Sequence, residues 1–491
     1  MAARLPTHND LPTGQDTLGR ERLVQRVARE IATGDPPLVF GVHGDWGAGK
    51  TSFLCQLEHE LTEQCSLFPK AKPRSRVCSD ITDVFTVWFE AWRYQYEPSP
   101  IVALLHEICR QLPRHKKIYD GLKKWGTLMT RGFFAAVDEL SLKIEAKPLG
   151  TGGEAELKLK NPIEAIEKAR DAWDEEHLSG RLTTDHVRRQ LQEAIAKLLG
   201  NERRRVCVII DDLDRCDPTG AFRLLEGIKI HFSLSQCIFV LGVNIRQIEL
   251  AIAPLLPGAD QKADSIEKHT EAAEYLEKLC SFTWKLPFLS PAARSSLLRL
   301  GLANPPEAKV EETTPLPEAL IAKIATVAET YDCLPANPRK IKGLANSIRQ
   351  LAEHGWHDEG SPGMELAIPD SEAETLLIAA AIYHFHPELL RYLQTSKSAW
   401  IEVLNWINGK SALPGDSDLL KFLMTLRFQS QAMGDTEKSA TPGGVTRASM
   451  YADPTHLNVL RIENLVRTAT DPSFKNSVTY DSIRRYLDLQ G

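Results

Sequence analysis

The sequence has no C-x-x-C pair, no long apolar run and no large excess of either charge. Its nine cysteines are odd in number and fall mostly within apolar stretches, a pattern typical of reduced, buried thiols. The longest strongly apolar stretch, residues 376–385, is about half of the ~20 residues that a membrane-spanning helix needs. Residues 1–16 are polar and lack the apolar core of a signal peptide. We therefore expect a cytoplasmic protein without a membrane span.

The charge balance excludes a second group of proteins. The 59 basic and 65 acidic residues give a formal net charge of -6, so the overall basic excess of a nucleic-acid coat protein is missing. Hydrophobic residues make up 43% and charged residues 25% of the chain, which is an ordinary globular composition. At roughly 100–200 residues per domain, the 491 residues suggest about three domains.

Short apolar runs alternate with helical patterns over the first 290 residues. Leu23, Val27 and Ile31, for example, recur at intervals of four, as on one face of a helix. Strands that alternate with helices predict an α/β fold of the P-loop type, with a central parallel sheet covered on both faces. The predicted strands are residues 38–42, 84–89, 206–210, 238–243 and 282–286.

The segment between the second and third strands is too long for a single crossover helix. Its patterns predict helices over 101–125 and 184–200 with a Gly-rich loop between them, and we interpret it as a helical insertion. After residue 290 the strand patterns vanish, which predicts an all-α lid. The expected organisation is a flexible arm (1–15), a core (16–94 and 204–290), the insertion (95–203), the lid (291–434), a linker (435–455) and a short helical tail (456–491).

Residues 44–51 carry the most specific motif. They fit G-x-x-x-x-G-K-[ST] directly after a predicted strand and before a predicted helix. In such a loop, backbone N–H groups surround phosphate oxygens, and the helix adds its positive N-terminal end. Lys50 is expected to bridge the outer phosphates and Thr51 to hold Mg²⁺. The predicted nucleotide-binding residues are Gly44, Asp45, Trp46, Gly47, Ala48, Gly49, Lys50, Thr51 and Ser52.

Two adjacent acids, Asp211 and Asp212, end the third predicted strand. A carboxylate directly after a wholly apolar strand is costly unless a cation pairs with it. Mg²⁺ on a nucleotide fits this place, because parallel sheets bind ligands at the carboxyl ends of their strands. We predict that Asp211 lies in the outer coordination shell of the metal and that Asp212, on the opposite side, polarises the attacking water. Arg215 follows closely, either to pair with Asp214 or Asp217 or to stabilise charge during catalysis.

Two further residues are candidate phosphate sensors. Asn244 ends the fourth predicted strand, where it either reads a γ-phosphate or merely opens the next turn. Asn337 and Pro338 are typical of a helix start, and Arg339 and Lys340 then bring cations into its first turn. Cations there oppose the helix dipole, so they favour a nearby anion. A nucleotide phosphate would supply one, and so would a surface acid.

Several of these segments together resemble the KAP-family P-loop NTPases, of the STAND/AAA+-like division. The resemblance covers about residues 15–350. It rests on residues 44–51, the W-F-E-A-W-R-Y segment (88–94), the D-D-L-D-R-C segment (211–216), Y-L-E-K (275–278) and N-P-R-K (337–340).

The resemblance implies an ATPase with Mg²⁺, with Lys50 and Thr51 on the nucleotide, Asp211 on the metal, Asp212 near the water and Arg339 as lid sensor. From its place at the end of a strand, Asn244 joins Lys50, Asp212 and Arg339 as a predicted catalytic residue. Many relatives carry membrane spans within the insertion, which here is polar, and the sensor strand of relatives often ends in an acid rather than in Asn244. Bacterial members are associated with defence against bacteriophage, usually beside other gene products. The resemblance therefore implies a soluble, cytoplasmic switch or motor in an antiviral complex, with unknown partner proteins and possible self-association.

Two other functions remain open. Basic clusters at 70–76, 115–117 and 203–205 are usually solvated faces, and a DNA-binding or remodelling ATPase is the minority interpretation. A scaffold that binds ATP without turnover is the third. Adenine preference follows from the resemblance alone, with Leu18, Gly19 and Arg20 as candidates for the wall beside the base.

Overall fold

The computed structural model describes most of the first 303 residues outside the insertion, and parts of the rest. The described residues are 12–13, 16–68, 83–97, 100–115, 118–119, 192, 195–197, 199–200, 203–231, 236–256, 265–303, 316–330, 332–355, 368–385, 387–395, 401 and 478–487. They fall into two compact units that meet in the chain between residues 286 and 287.

The first unit contains a five-stranded sheet, and all of its pairings are parallel. The strand order β2-β3-β4-β1-β5 places β4 between the strand that precedes the phosphate loop and the strand that ends at Asp211. The predicted α/β fold with a parallel sheet is confirmed. The strands are β1 (Leu38–His43), β2 (Val84–Glu90), β3 (Arg205–Asp211), β4 (Cys237–Val243) and β5 (Phe282–Lys285).

Helices cover both faces of this sheet. Alternate side chains of β3 lie on opposite faces of the sheet. Val208 and Ile210 belong to one apolar cluster, and Cys207 and Ile209 belong to the other. The cluster around Cys207 includes residues of the first two helices, and the cluster around Val208 includes residues of the other four. The helices are α1 (Glu21–Thr33), α2 (Lys50–Thr62), α3 (Pro100–Gln111), α4 (Pro218–His231), α5 (Ile245–Ile252) and α6 (Ser265–Leu279).

The helix predicted over 101–125 is shorter in the structure. It ends at Gln111, and Pro113 lies in the 3-10 turn that follows, where its ring removes a backbone donor. Residues 120–125 lie outside the described residues, as does most of the helix predicted over 184–200.

A disulfide joins Cys55 and Cys65, so the expectation of reduced thiols is wrong for this pair. Cys55 lies in α2, which ends at Thr62, and Glu63 then adopts a left-handed conformation with φ 66°. This turn brings the chain back along the helix, and the two Cα atoms lie 5.6 Å apart. The sequence pattern missed the pair because only the turn at Glu63 brings the two thiols together. The free cysteines of the described residues are Cys109, Cys207, Cys216, Cys237, Cys280 and Cys333.

The described part of the second unit is helical, without strands. Its first helix was not predicted. The sequence did contain a start signal, because Ser290 is an N-cap residue and Pro291 a first-turn proline. In the structure the Ser290 Oγ accepts from the Ala293 amide at 3.2 Å. No described helix is both long and apolar enough to span a bilayer. The helices are α7 (Pro291–Leu302), α8 (Glu318–Thr330), α9 (Pro338–Gly355), α10 (Ala373–Phe385), α11 (Pro387–Thr395) and α12 (Tyr480–Leu487).

Candidate nucleotide-binding site

The phosphate-loop motif connects β1 to α2 at the carboxyl edge of the sheet. Gly47 and Gly49 have φ angles of 79° and 87°, a region that side chains with a Cβ rarely adopt. At Gly49 a Cβ would also lie 3.2 Å from Leu18 Cδ1 and 3.3 Å from Arg20 Nη1. The glycines of the motif are therefore required by the backbone path, and the path leads into the N-terminus of α2.

Lys50 is held inside the loop. Its side chain is only 8% exposed, and its ammonium group donates to the Gly44 carbonyl at 2.8 Å. The same nitrogen lies 3.4 Å from Asp214 Oδ2. The buried ammonium is thus fixed at the mouth of the loop by one carbonyl and one carboxylate, where a bound phosphate would meet it.

Asp214 connects the phosphate loop to the segment after β3, and sequence reasoning gave it no site role. Its side chain is 1% exposed, and Oδ2 accepts from Trp46 Nε1 at 2.7 Å as well as from Lys50. The Trp46 residue itself is 54% exposed. The D-D-x-D spacing could have pointed to Asp214, because the 3-10 turn Leu213–Arg215 turns the chain back to the loop.

Asp211 is a buried carboxylate that lacks a full set of partners. It is 2% exposed, and its Oδ1 has no hydrogen-bond partner within the part of the chain that the structure describes. Burial, reinforced by the neighbouring charge of Asp212, raises the pKa of Asp211 to about 7, while hydrogen bonds from Thr51 and the Asp212 backbone and the Lys50 charge oppose this. A buried carboxylate in this state is stabilised by a cation.

A glycine of β4 packs closely against Asp211. A Cβ on Gly242 would lie 3.0 Å from Asp211 Oδ1 and 2.6 Å from Leu54 Cδ1, so a larger residue would displace the carboxyl group. The hydroxyl of Thr51 bonds to the same carboxyl group. Hydroxyl and carboxylate oxygens are the ligands that Mg²⁺ prefers, and the ion keeps waters on its remaining positions. The residues present therefore fit the metal.

Asp212 is oriented by an arginine of its own turn. It adopts a left-handed conformation with φ 57°, and its Oδ1 pairs with Arg215 Nε at 3.0 Å. Two interpretations of Arg215 were open. The pairing with Asp214 or Asp217 is wrong, because the 3-10 turn places Arg215 against Asp212 while Asp214 faces the phosphate loop. A role in stabilising charge during catalysis stays a prediction.

Asn244 follows β4 directly and therefore lies between the ends of β1 and β3. It occupies the N-cap position of α5, but its side chain makes no capping hydrogen bond. The residue is 7% exposed, and its Oδ1 is buried without a hydrogen-bond partner in the described residues. Asn244 opens α5 through its backbone carbonyl, while its side-chain oxygen makes no capping bond. A role of the side chain at a γ-phosphate stays a prediction.

The segment before α1 lies against the phosphate loop. Arg20 is 4% exposed and donates from Nη1 to the Ala48 carbonyl at 2.7 Å, and burial lowers its pKa to about 10. Leu18 approaches Gly49, and the Ser52 hydroxyl accepts from the Thr13 amide at 3.1 Å. Leu18, Gly19 and Arg20 were predicted beside the base. The structure places Leu18 and Arg20 at the last turn of the loop.

Arg339 lies in the second unit, in the first turn of α9. The Asn337 side chain caps this helix, accepting from the Arg339 amide at 3.0 Å and from the Lys340 amide at 3.4 Å. The predicted N-cap and first-turn proline are present as the sequence indicated. The role of Arg339 at a nucleotide stays a prediction.

One comparison with known proteins identifies a family. A family model described as "KAP family P-loop domain" matches residues 20–354, which is more than half of the chain. No curated protein matches the chain. A solved structure titled "Structure of C. elegans PCH-2" is similar over 77% of this chain and 76% of that chain, at 13% identity and a TM-score of 0.27. A likeness of that size supports no argument about function.

Proposed function

We propose that this chain, which belongs to the KAP family of P-loop proteins, binds ATP with Mg²⁺ and hydrolyses it. The observation that carries the proposal is the buried, partly unpartnered carboxyl group of Asp211 beside the phosphate loop. It is bonded to Thr51, interacts with the charge of Lys50 and packs closely against Gly242. A purely structural acid at this depth would have all of its oxygens satisfied by the protein.

In this proposal the phosphate loop supplies binding and orientation. Backbone N–H groups of residues 44–49 surround the β- and γ-phosphates, and the ammonium group of Lys50 moves from the Gly44 carbonyl and Asp214 to the phosphate oxygens. Thr51 and Asp211 would hold Mg²⁺, which when bound neutralises part of the phosphate charge. Arg20 supports the loop from behind through the Ala48 carbonyl.

Hydrolysis is assigned to the side chains at the ends of β3 and β4. Asp212 accepts a proton from the water that attacks the γ-phosphorus, while the bond from that phosphorus to the β,γ-bridging oxygen breaks and ADP leaves. Arg215 keeps the Asp212 carboxylate in place. Asn244 donates from its amide to the γ-phosphate or the water, and Arg339 keeps the sensor role that the family resemblance implies.

The wider role is proposed from the family resemblance. A nucleotide-dependent switch that assembles with partner proteins in an antiviral complex suits this architecture. The described basic residues give little support to the DNA-binding alternative, because Arg205 donates to the carbonyls of Ile31 and Gly34 and Arg204 donates to that of Leu199. Those contacts use the two side chains within the fold.

Phosphate release from ATP by the full chain tests the proposal. We expect Mg²⁺-dependent release that falls by about 10³-fold in Lys50→Ala and by about 10²-fold in Asp212→Asn. Undiminished release in both variants would contradict the proposed ATPase. Tight ATP binding without release in the wild-type chain would instead support the non-hydrolysing scaffold.

A further inference from the structure

The helix after the sensor strand is capped in an unusual way. Asparagine at an N-cap ordinarily turns its side-chain oxygen to the amides of the following turn. In α5 only the Asn244 carbonyl serves that turn, accepting from Gln247 at 3.0 Å and Ile248 at 3.1 Å. The side-chain oxygen makes no capping bond and stays buried. Something else must therefore satisfy the first amide of the helix.

His43, the last residue of β1, satisfies that amide. Its Nδ1 accepts from the Ile245 amide at 3.0 Å, across from the neighbouring strand. The backbone at this position is fixed on both sides, since the His43 carbonyl accepts from the Leu286 amide at 2.8 Å and the next residue, Gly44, donates to the Val243 carbonyl at 3.3 Å. The end of β1 and the start of α5 are thus joined at the first residue of the phosphate loop.

We infer that His43 is a positioning residue for Asn244: its ring accepts from the first amide of α5 and thereby fixes the start of that helix, and with it the Asn244 amide, relative to the phosphate loop. The inference rests on the proposed function of Asn244. If the ring is removed, the Ile245 amide loses its acceptor, and the start of α5 is no longer held to the end of β1 by this bond.

The acceptor role requires an unprotonated Nδ1. Burial lowers the pKa of His43, Lys50 and Lys285 lower it further, and Asp45 and the Val243 backbone raise it. These charges come from the phosphate loop and from β5, which pairs with β1. The ring is therefore neutral near pH 7, and an imidazolium formed at lower pH would have no acceptor for the Ile245 amide.

The test compares His43→Phe, His43→Asn, Asn244→Ala and the double variant His43→Phe/Asn244→Ala in the full chain. Phenylalanine keeps the ring without an acceptor, whereas the asparagine oxygen reaches nearly the position of Nδ1. His115→Phe is the matched control, because it removes another half-buried imidazole that donates to the Thr86 carbonyl at 3.0 Å, far from the phosphate loop. Steady-state ATP hydrolysis gives kcat and KM, and thermal unfolding reports folding.

We expect His43→Phe to lower kcat about tenfold with KM changed by less than about twofold, and His43→Asn to recover most of kcat. The double variant should be no slower than Asn244→Ala, because both changes disable the same amide. His115→Phe should lower only the unfolding temperature. As pH falls below about 6.5, kcat of the wild-type chain should fall more steeply than that of His43→Asn, a comparison that does not require His43→Phe to fold.

Several outcomes would overturn the inference. They are a normal kcat in folded His43→Phe, equal losses in the phenylalanine and asparagine variants, multiplying losses in the double variant, or identical pH profiles of wild type and His43→Asn. If these occur while Asn244→Ala is slow, the inference fails and the proposed function stands. A wild-type chain without Mg²⁺-dependent hydrolysis would instead overturn both.

Discussion

A buried carboxylate lies near each end of α2, and the two differ in their hydrogen-bond partners. Glu58, toward the carboxyl end, accepts hydrogen bonds from the Ser66 amide at 2.7 Å, the Ser66 hydroxyl at 2.6 Å and the Thr86 hydroxyl at 2.9 Å. Asp211, near the amino end, keeps one oxygen without a partner among the described residues. Both are 2% exposed.

Burial raises the pKa of both groups, so depth alone does not distinguish them. Their partners do. Ser66 and Thr86 supply the donors that make Glu58 a structural group. Asp211 has Asp212 beside it, which adds to the electrostatic cost, and its Oδ1 has no hydrogen-bond partner among the described residues. These partners make Glu58 a structural acid and support Asp211 as the acid that binds a ligand.

The largest expected difference between the two acids is in activity. Asp211→Asn should lower Mg²⁺-dependent ATP hydrolysis by about 10²-fold or more, since a neutral amide holds the metal poorly. Glu58→Gln is the matched change and should leave kcat within about threefold. Phosphate release by the two purified variants measures this. Equal losses in both would remove the distinction.

Stability should respond in the opposite order. Glu58→Gln is expected to lower the free energy of unfolding by about 1–3 kcal/mol, because the amide nitrogen cannot accept the Ser66 or Thr86 bonds. Asp211→Asn should leave it unchanged or raise it, since a costly buried charge is removed. Denaturant unfolding of the ligand-free chain compares them, and a larger loss in Asp211→Asn would contradict the assignment.

A pH dependence should belong to Asp211. Its pKa of about 7 in the ligand-free fold lies above the unfolded value of 3.8, so the ionised group costs stability that is absent at low pH and appears as pH rises toward 7. Bound Mg²⁺ should displace its proton. We therefore expect proton release near pH 7 on adding ATP with Mg²⁺, and an affinity that falls as pH drops below about 7. Calorimetry in two buffers measures the release, which Asp211→Asn should lack.

The smallest expected effect concerns Asp214, which is intermediate between Glu58 and Asp211. Its carboxylate accepts hydrogen bonds from Trp46 and Lys50, which belong to the phosphate loop. Trp46→Phe removes one of these bonds from a half-exposed residue and should cost about 0.5–1.5 kcal/mol of stability. Nucleotide affinity should change by less than about threefold, as measured by titration. A tenfold loss of affinity would instead indicate that the Trp46 side chain contacts the nucleotide.

The sequence predicted much of this arrangement because local patterns carry it. Strand-ending residues such as Asp211 and Asn244 and the motif at 44–51 follow from hydrophobic runs and glycine spacing. The sequence did not show that Trp92 is 51% exposed, which follows from its place in the 3-10 turn after β2. The Glu58 cluster, the Cys55–Cys65 bond and the His43 cap were missed, since each joins residues that only the tertiary fold brings together.

The Mg²⁺ dependence of ATP binding tests the central claim most directly, because that claim is that Asp211 is left open for a nucleotide-bound metal. Isothermal titration with ATP is performed with Mg²⁺ and with a chelator, on the wild-type chain, Glu58→Gln and Asp211→Asn. The account predicts that Mg²⁺ tightens binding in the first two by at least about tenfold and leaves Asp211→Asn unaffected. Equal tightening in Asp211→Asn would contradict it.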